Sequence, residues 1–418
     1  MRGPSLRVAV VASALCAVLA GCGKSLPRAT VGSGLGQATT PSGAGAASVS
    51  TVNTTRLGGS NPILDAAAVA VAEYPGLTPA TRPPAIVLVS DSDWPDALAA
   101  SALAGAPLRA PLLYSESRTL PVASERALHT MQPRGIGPVG RTLRGVPGGA
   151  KVIKIGEAPT PAGYLTLSVG NSNSAPATVA VRIERLSSLL RGHRPRQVIV
   201  TSDDGPPAMT MPAAGLAAQT GAPILYVDRS GIPQVTRAEL ARLGRGVSMY
   251  VVGPSSVVSE SVRRDLERFG TVTRIAGSTP ASNAIAVARF TDGSFGWGVL
   301  EPGHGLVFAN AARPLDGPAA APLSASGDYG PLLLLENPGR LGAALSSYLS
   351  DLQPGSPPLG PVHGVYNHGW LIGDESAISA TTQARVNTLL GISSRAATEP
   401  EVASPTNPSG ESAPPTEP

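Results

Sequence analysis

Residues 90–114, SDSDWPDALAASALAGAPLRAPLLY, run from a strand end through an acidic turn and a helix of small residues into a second short apolar strand. The same order returns in VTSDDGPPAMTMPAAGLAAQTGAPILY, which ends at Tyr226, and in FANAARPLDGPAAAPLSASGDYGPLLLL, which ends at Leu335. Pro111-Leu112-Leu113, Pro223-Ile224-Leu225 and Pro331-Leu332-Leu333 then fall into register. A pattern that recurs in this way is a supersecondary unit stacked on copies of itself, so the repeat comes before any choice of fold.

Working outward, each copy is preceded by an apolar strand at 85–89, 197–200 and 305–308, and before that by a helical pattern at 64–73, 177–190 and 281–290. A second marker opens each copy: TTRLGG at 54–59, VIKIG at 152–156 and VTRIAG at 272–277, each a short strand with a basic residue near its end. After the Pro-Leu-Leu strand the second copy continues with a helix from Pro233, a strand at 248–253 and a helix over 256–269. The third copy has a strand at 369–373 and a helix over 376–390. In the first copy this slot is read as the weak strand 135–140, with its helix shortened to TLRGVPGG. Short apolar strands without alternation, separated by helices, imply parallel strands buried on both faces. The expected fold class is α/β, with three tandem small parallel-sheet βα layer units of about 100–120 residues each. Their expected bounds are 52–153, 154–273 and 274–392, with loop insertions at 160–174, 293–304 and 354–363.

The ends differ from this body. Residues 1–21 place two arginines before an apolar run too short to span a bilayer, the pattern of a secretory leader. The run closes on Leu19-Ala20-Gly21-Cys22, which resembles the lipobox of bacterial lipoproteins. That resemblance implies diacylation of Cys22 and attachment to the outer face of the cytoplasmic membrane by an N-terminal lipid. Residues 22–51 are Gly, Ser, Ala and Thr with little periodicity and are expected to form a flexible tether; 393–418 is a Pro-rich, acidic tail expected to be disordered. Gly23-Lys24-Ser25 mimics the end of a phosphate loop, but Val18 stands where the first glycine is required. With Cys16 inside the leader, the mature chain has no thiol pair.

The net charge of +4 is carried almost wholly by arginine, since Lys24, Lys151 and Lys154 are the only lysines. Such an excess favours an anionic polymer but falls far short of a nucleic-acid footprint. Catalytic and metal signatures are missing. There is no Gly-x-Ser-x-Gly elbow, no cysteine nucleophile in the body, and no histidine spacing of a zinc site; His363 and His368 are five apart, and His129, His193 and His304 stand alone. No cofactor or metal is expected.

The three copies resemble the cell wall-binding repeat 2 family, which occurs in tandem threes in surface proteins of Gram-positive bacteria. Arg56 and Arg274 match the family's basic strand position and Lys154 replaces arginine there. Trp94-Pro95-Asp96-Ala97-Leu98 matches its Pro-Asp-Ala-Leu-type helix start, Leu315-Asp316-Gly317 matches in part, and Ala208 stands at the aspartate position. The Val-Gly-Gly strand end is reduced to Gly253-Pro254 and Gly373-Asp374. The resemblance covers about residues 52–392. It implies a pseudo-trimer of units binding an anionic wall glycopolymer non-covalently, in a monomer with internal threefold symmetry. The ligand-binding residues it implies are Arg56, Lys154, Arg274, Asp96 and Asp316, with Pro111, Leu112, Leu113, Pro223, Ile224, Leu225, Pro331, Leu332 and Leu333. Each also has a structural reading: Asp93 and Asp96 as helix cap and first-turn acid, the basic residues as partners of acids between units, the Pro-Leu-Leu strands as core, and Trp297 as a loop anchor. Two alternatives to a binding protein stay open: a solute-binding lipoprotein of a transport system and, disfavoured by the missing constellation, an enzyme of wall metabolism.

Overall fold

Twelve short strands, nearly all shielded on both faces by helices, make up three four-stranded parallel sheets in this computed structural model, which describes residues 49–137, 142–143, 145–325, 330–356 and 366–393. The leader, Cys22, most of the tether, the tail and His363 lie outside the described residues. In chain order the elements are β1 (Thr54–Leu57), α1 (Pro62–Glu73), β2 (Ile86–Ser90), α2 (Trp94–Ala100), β3 (Leu112–Ser115), α3 (Val122–Met131), β4 (Val152–Ile155), β5 (Thr166–Val169) and α4 (Pro176–Arg191). There follow β6 (Gln197–Ser202), α5 (Pro212–Thr220), β7 (Ile224–Val227), α6 (Gln234–Leu243), β8 (Val247–Val252), α7 (Glu260–Leu266), β9 (Gly270–Ile275) and α8 (Pro280–Arg289). The chain ends with β10 (Gly305–Asn310), α9 (Asp316–Ala325), β11 (Leu332–Leu335), α10 (Ala343–Asp351), β12 (His368–Ile372) and α11 (Ala380–Leu390). Two small hairpins, at 142–147 and 291–296, stand apart from the three sheets.

The sheet orders are β3-β2-β4-β5, β7-β6-β8-β9 and β11-β10-β12-β1. Each repeat thus lends its opening strand to the sheet of its neighbour. β5 pairs with β4 and β9 with β8, while β1, at the other end of the chain, pairs with β12 and closes the ring. The expected unit bounds need correction accordingly. Thr54–Leu57 belongs to the third sheet, and cuts after 153 and 273 fall inside β4 and β9. The strand expected at 135–140 is not in the sheet, where its slot is taken by Val152–Ile155; Ile136 only bridges to Ala150. The loop expected over 160–174 contains β5.

Three helices of small residues face one another at the centre: α2 with its 3-10 continuation Ser101–Ala104, α5 and α9. Ala104, Ala218 and Ala321 meet in a small apolar cluster of their own. Small side chains are required here. A Cβ on Gly105 would lie 2.5 Å from the Ala218 carbonyl oxygen, and one on Gly215 would lie 3.0 Å from Ser324 Oγ. The first helix of each repeat wedges between two units: α1 packs on α9, α4 on α2 and α8 on α5. Local signals set their starts. Asn61 caps α1 through Leu64 N, Thr279 and Ser282 form a capping box on α8, and proline fills the first turn of all three, where its missing N–H costs nothing. The core is correspondingly divided. One large cluster spans the first two units and the axis, and separate clusters sit under the outer helices of each unit.

Candidate functional site

The basic strand residues serve the turns beyond the sheets. Arg56 is buried, at 4% exposure. Its Nη1 donates to the carbonyls of Gly373 and Asp374, its Nη2 to the carbonyl of Ile378, and Nε and Nη2 to Gln383 Oε1. Arg274 repeats the pattern in the second sheet, donating to the carbonyls of Gly253 and Val258 and pairing with Glu260 at 2.9 Å. Register separates Lys154 from this pair. Arg56 lies beside Leu371 and Arg274 beside Val251, whereas Lys154 lies beside Ser168, so Ser168 holds the arginine position and Lys154 that of Leu371 and Val251. The lysine nevertheless does the same work from the adjacent strand, donating to the Ala158 carbonyl at 3.1 Å.

Asp96 and Asp316 occupy the same turn of their units, three residues after Asp93 and Arg313. The corresponding turn in the second unit, Pro206–Met209, puts Met209 rather than Ala208 in the aspartate position. Each turn meets a neighbouring unit, and the three junctions differ. Between units one and two, Asp96 is buried, Gly156 leaves room for its carboxylate, and Oδ1 has no hydrogen-bond partner. Burial, with repulsion from Asp93 and Asp203, pushes the Asp96 carboxyl up to about 8. Between units three and one, Arg313 takes the place of Asp93 and bridges Asp316, at 2.9 Å, and Asp65 of α1. Burial lifts the Asp65 carboxyl to about 6 and raises that of Asp316 well above its ordinary value, Asp65 adding to the latter. At the corresponding turn between units two and three, Asn283 Nδ2 donates to the Met209 carbonyl at 2.7 Å, and elsewhere on this junction Tyr250 donates to Asp292 at 2.8 Å.

Sequence reasoning passed over Arg313, Asp65 and two tyrosines that bind the units together. Tyr226 donates to the Pro95 carbonyl at 2.5 Å and Tyr114 to that of Leu315 at 2.6 Å. Both directly follow a Pro-Leu-Leu or Pro-Ile-Leu run, and Leu334 fills their place in the third copy, so the pattern was readable. All nine residues of those runs are buried. Pro111, Pro223 and Pro331 open their strands, each offering its carbonyl to the neighbouring strand where its lack of an N–H is harmless. Trp297 packs against two core clusters as a loop anchor. Among the described residues no group of three or more His, Cys, Asp or Glu is arranged to hold a metal ion, and no helix is long and apolar enough to cross a membrane.

This ring of strand-sharing α/β units around an alanine axis has counterparts in known proteins. Residues 56–156 match the family model of Cell wall binding domain 2 (CWB2), from the strand holding Arg56 to the glycine after β4. Two solved structures share the fold. Cwp6 from Clostridium difficile is 16% identical with a TM-score of 0.61, covering 81% of this chain and 47% of its own. Cwp8 from Clostridium difficile is 18% identical with a TM-score of 0.59, covering 81% of this chain and 52% of its own. The chain therefore spans about half the length of either. No curated protein matches by sequence.

Proposed function

We propose that this chain is a non-enzymatic, lipid-anchored envelope protein whose three-unit body holds an anionic wall glycopolymer non-covalently. The observation that carries the reading is the CWB2 match over 56–156 in a body that repeats the same strand-and-helix order three times. Cys22, in its lipobox context, supplies the membrane attachment. Arg56, Arg274 and Lys154 are read as clamps on turn carbonyls and the Pro-Leu-Leu strands as core, which moves polymer contact away from both. A transport-type solute-binding body would need two lobes around a hinge, and three units closed around one axis weigh against it.

The test is co-sedimentation of the purified body with cell-wall sacculi, before and after acid extraction of their anionic polymer, at low and high salt. Retention on intact walls that falls with salt and disappears on extraction is expected. Equal retention on extracted walls, or none on intact ones, refutes the reading. Incorporation of labelled palmitate, abolished by Cys22→Ser, checks the anchor.

A further inference from the structure

Charge in this protein is unevenly placed. Between residues 176 and 196 there are five arginines and one glutamate, and between 234 and 245 three arginines and one glutamate, an excess larger than the +4 of the whole chain. The equivalent first helices carry nothing similar: α1 (PILDAAAVAVAE) has no basic residue and α8 (PASNAIAVAR) has one. A basic stripe required by the repeat fold itself would be present in all three first helices. This one is not.

Four of these eight arginines, Arg182, Arg185, Arg194 and Arg242, line a groove. Two open cavities, of about 610 and 540 Å³, adjoin along one face of α4 and share Arg185 and Leu189. One lies between the C-terminal ends of α4 and α6, reaching His193, Arg194 and Arg242; the other runs beside β5 to Arg182. Residues 182, 185, 189 and 192 recur at helical spacing on that face, so the stripe is about 15 Å long.

Its floor is a buried ion cluster. The side chains of Glu184 and Glu239 are fully buried. Glu239 holds Arg185 through Nε and Nη2, at 2.9 and 2.8 Å, while Arg242 is held by Glu184 at 2.8 Å and by Glu239. Ser188 donates to Glu184 at 2.6 Å, and burial, with the hydrogen bond to Glu239, lifts the Glu184 carboxyl to about 7. The Arg185 side chain is still 57% exposed. Neither Arg185 Nη1 nor Arg242 Nη1 has a partner among the described residues. Burying such a cluster contributes little net stability, but it fixes two guanidinium groups with one edge facing the groove, the geometry that grips an oxyanion.

We propose that this arginine groove along α4, particular to the second unit, is the place where the body grips a phosphodiester-linked wall glycopolymer. The inference rests on the binding function proposed above and adds a location that function does not require. One unit takes the charged chain, and the other two complete the ring.

The test compares two variants of equal charge change in binding purified phosphodiester-linked wall polymer, polygalacturonate and neutral dextran. Arg182→Glu/Arg194→Glu alters exposed groove residues outside the ion cluster; Arg340→Glu/Arg385→Glu alters exposed arginines of the third unit. Thermal melts verify folding, and Arg182→Gln/Arg194→Gln replaces the groove variant if it fails to fold. Expected are polymer binding by the wild type, at least a tenfold loss with a shallower salt dependence in the groove variant, and less than a threefold loss in the control. Equal losses in the two variants overturn the groove while leaving wall binding intact. Tighter binding of polygalacturonate or dextran than of the phosphodiester polymer also overturns it. Failure of the wild type to bind wall polymer at all removes the underlying function instead.

Discussion

Asp96→Asn gives the most direct test of the junction between the first two units. Asp96 is 2% exposed, and its carboxyl is raised from the ordinary 3.8 to about 8. Across that window the folded chain keeps a proton that the unfolded chain has released. This contribution to stability is therefore complete below pH 3.8 and is lost as pH rises to 8. From pH 5 to pH 8 and above, three units at 1.36 kcal/mol each give a loss of about 4 kcal/mol for the wild type. Asparagine has nearly the same shape and no proton to lose. Glu73 and Glu184 are also raised, both to about 7, but do not act on Asp96 and cancel in the comparison; Asp203, raised to about 6, repels Asp96 and is relieved of that repulsion in the variant. Urea unfolding at pH 5, 7 and 9 reads the difference from midpoints at a common slope. The variant should gain on the wild type by about 4 kcal/mol between pH 5 and 9. A gap that stays constant with pH would show that Asp96 is already ionised at its site, and the account of this junction would fail.

Three further changes probe the ring. Arg313→Ala leaves Asp65 and Asp316 buried without their cation and should cost about 3–5 kcal/mol in chemical denaturation, partly recovered by adding Asp316→Asn. Tyr226→Phe deletes the hydroxyl that reaches the Pro95 carbonyl and should cost about 1 kcal/mol, seen as a lower melting temperature with an unchanged circular dichroism spectrum. Ala218→Leu forces a larger side chain against Ala104 and Ala321 and should destabilise by about 1–3 kcal/mol in urea; no loss would mean that the axis is looser than described.

Strands shielded on both faces were plain in the sequence because they read as unbroken apolar runs: Ile86–Ser90, Gln197–Ser202 and the Pro-Leu-Leu strands lie where their patterns place them. The three first helices were equally clear, with proline in the first turn and apolar residues at helical spacing. Edge strands were not. Thr166–Val169 is four residues long, half-exposed and set between Gly-, Pro- and Asn-rich loops, so its pattern is that of an insertion and leaves Val152–Ile155 as the apparent opening strand. That single slip put Lys154 in register with Arg56 and Arg274. Strand exchange between repeats was not legible, because one-dimensional spacing does not say which sheet a short strand joins. The helix expected over 256–269 spans only Glu260–Leu266, since a turn follows Pro254 and Ser259 then caps the helix by accepting from Val262 N. The groove was hidden in a different way. Arg182, Arg185 and Arg194 were visible, but charge averaged over the whole chain concealed their concentration on one helix.

The pairing of Thr54–Leu57 with His368–Ile372 also constrains how the protein is made. Thr54–Leu57, the first of the described strands, has its sheet partner more than three hundred residues downstream, so that pairing waits until almost the whole body has been synthesised. Contacts so distant in sequence form slowly, and a waiting strand is open to mispairing with another chain. A nascent chain stopped before residue 368 would expose Thr54–Leu57 as an unclaimed strand, a natural handle for an export chaperone or a protease.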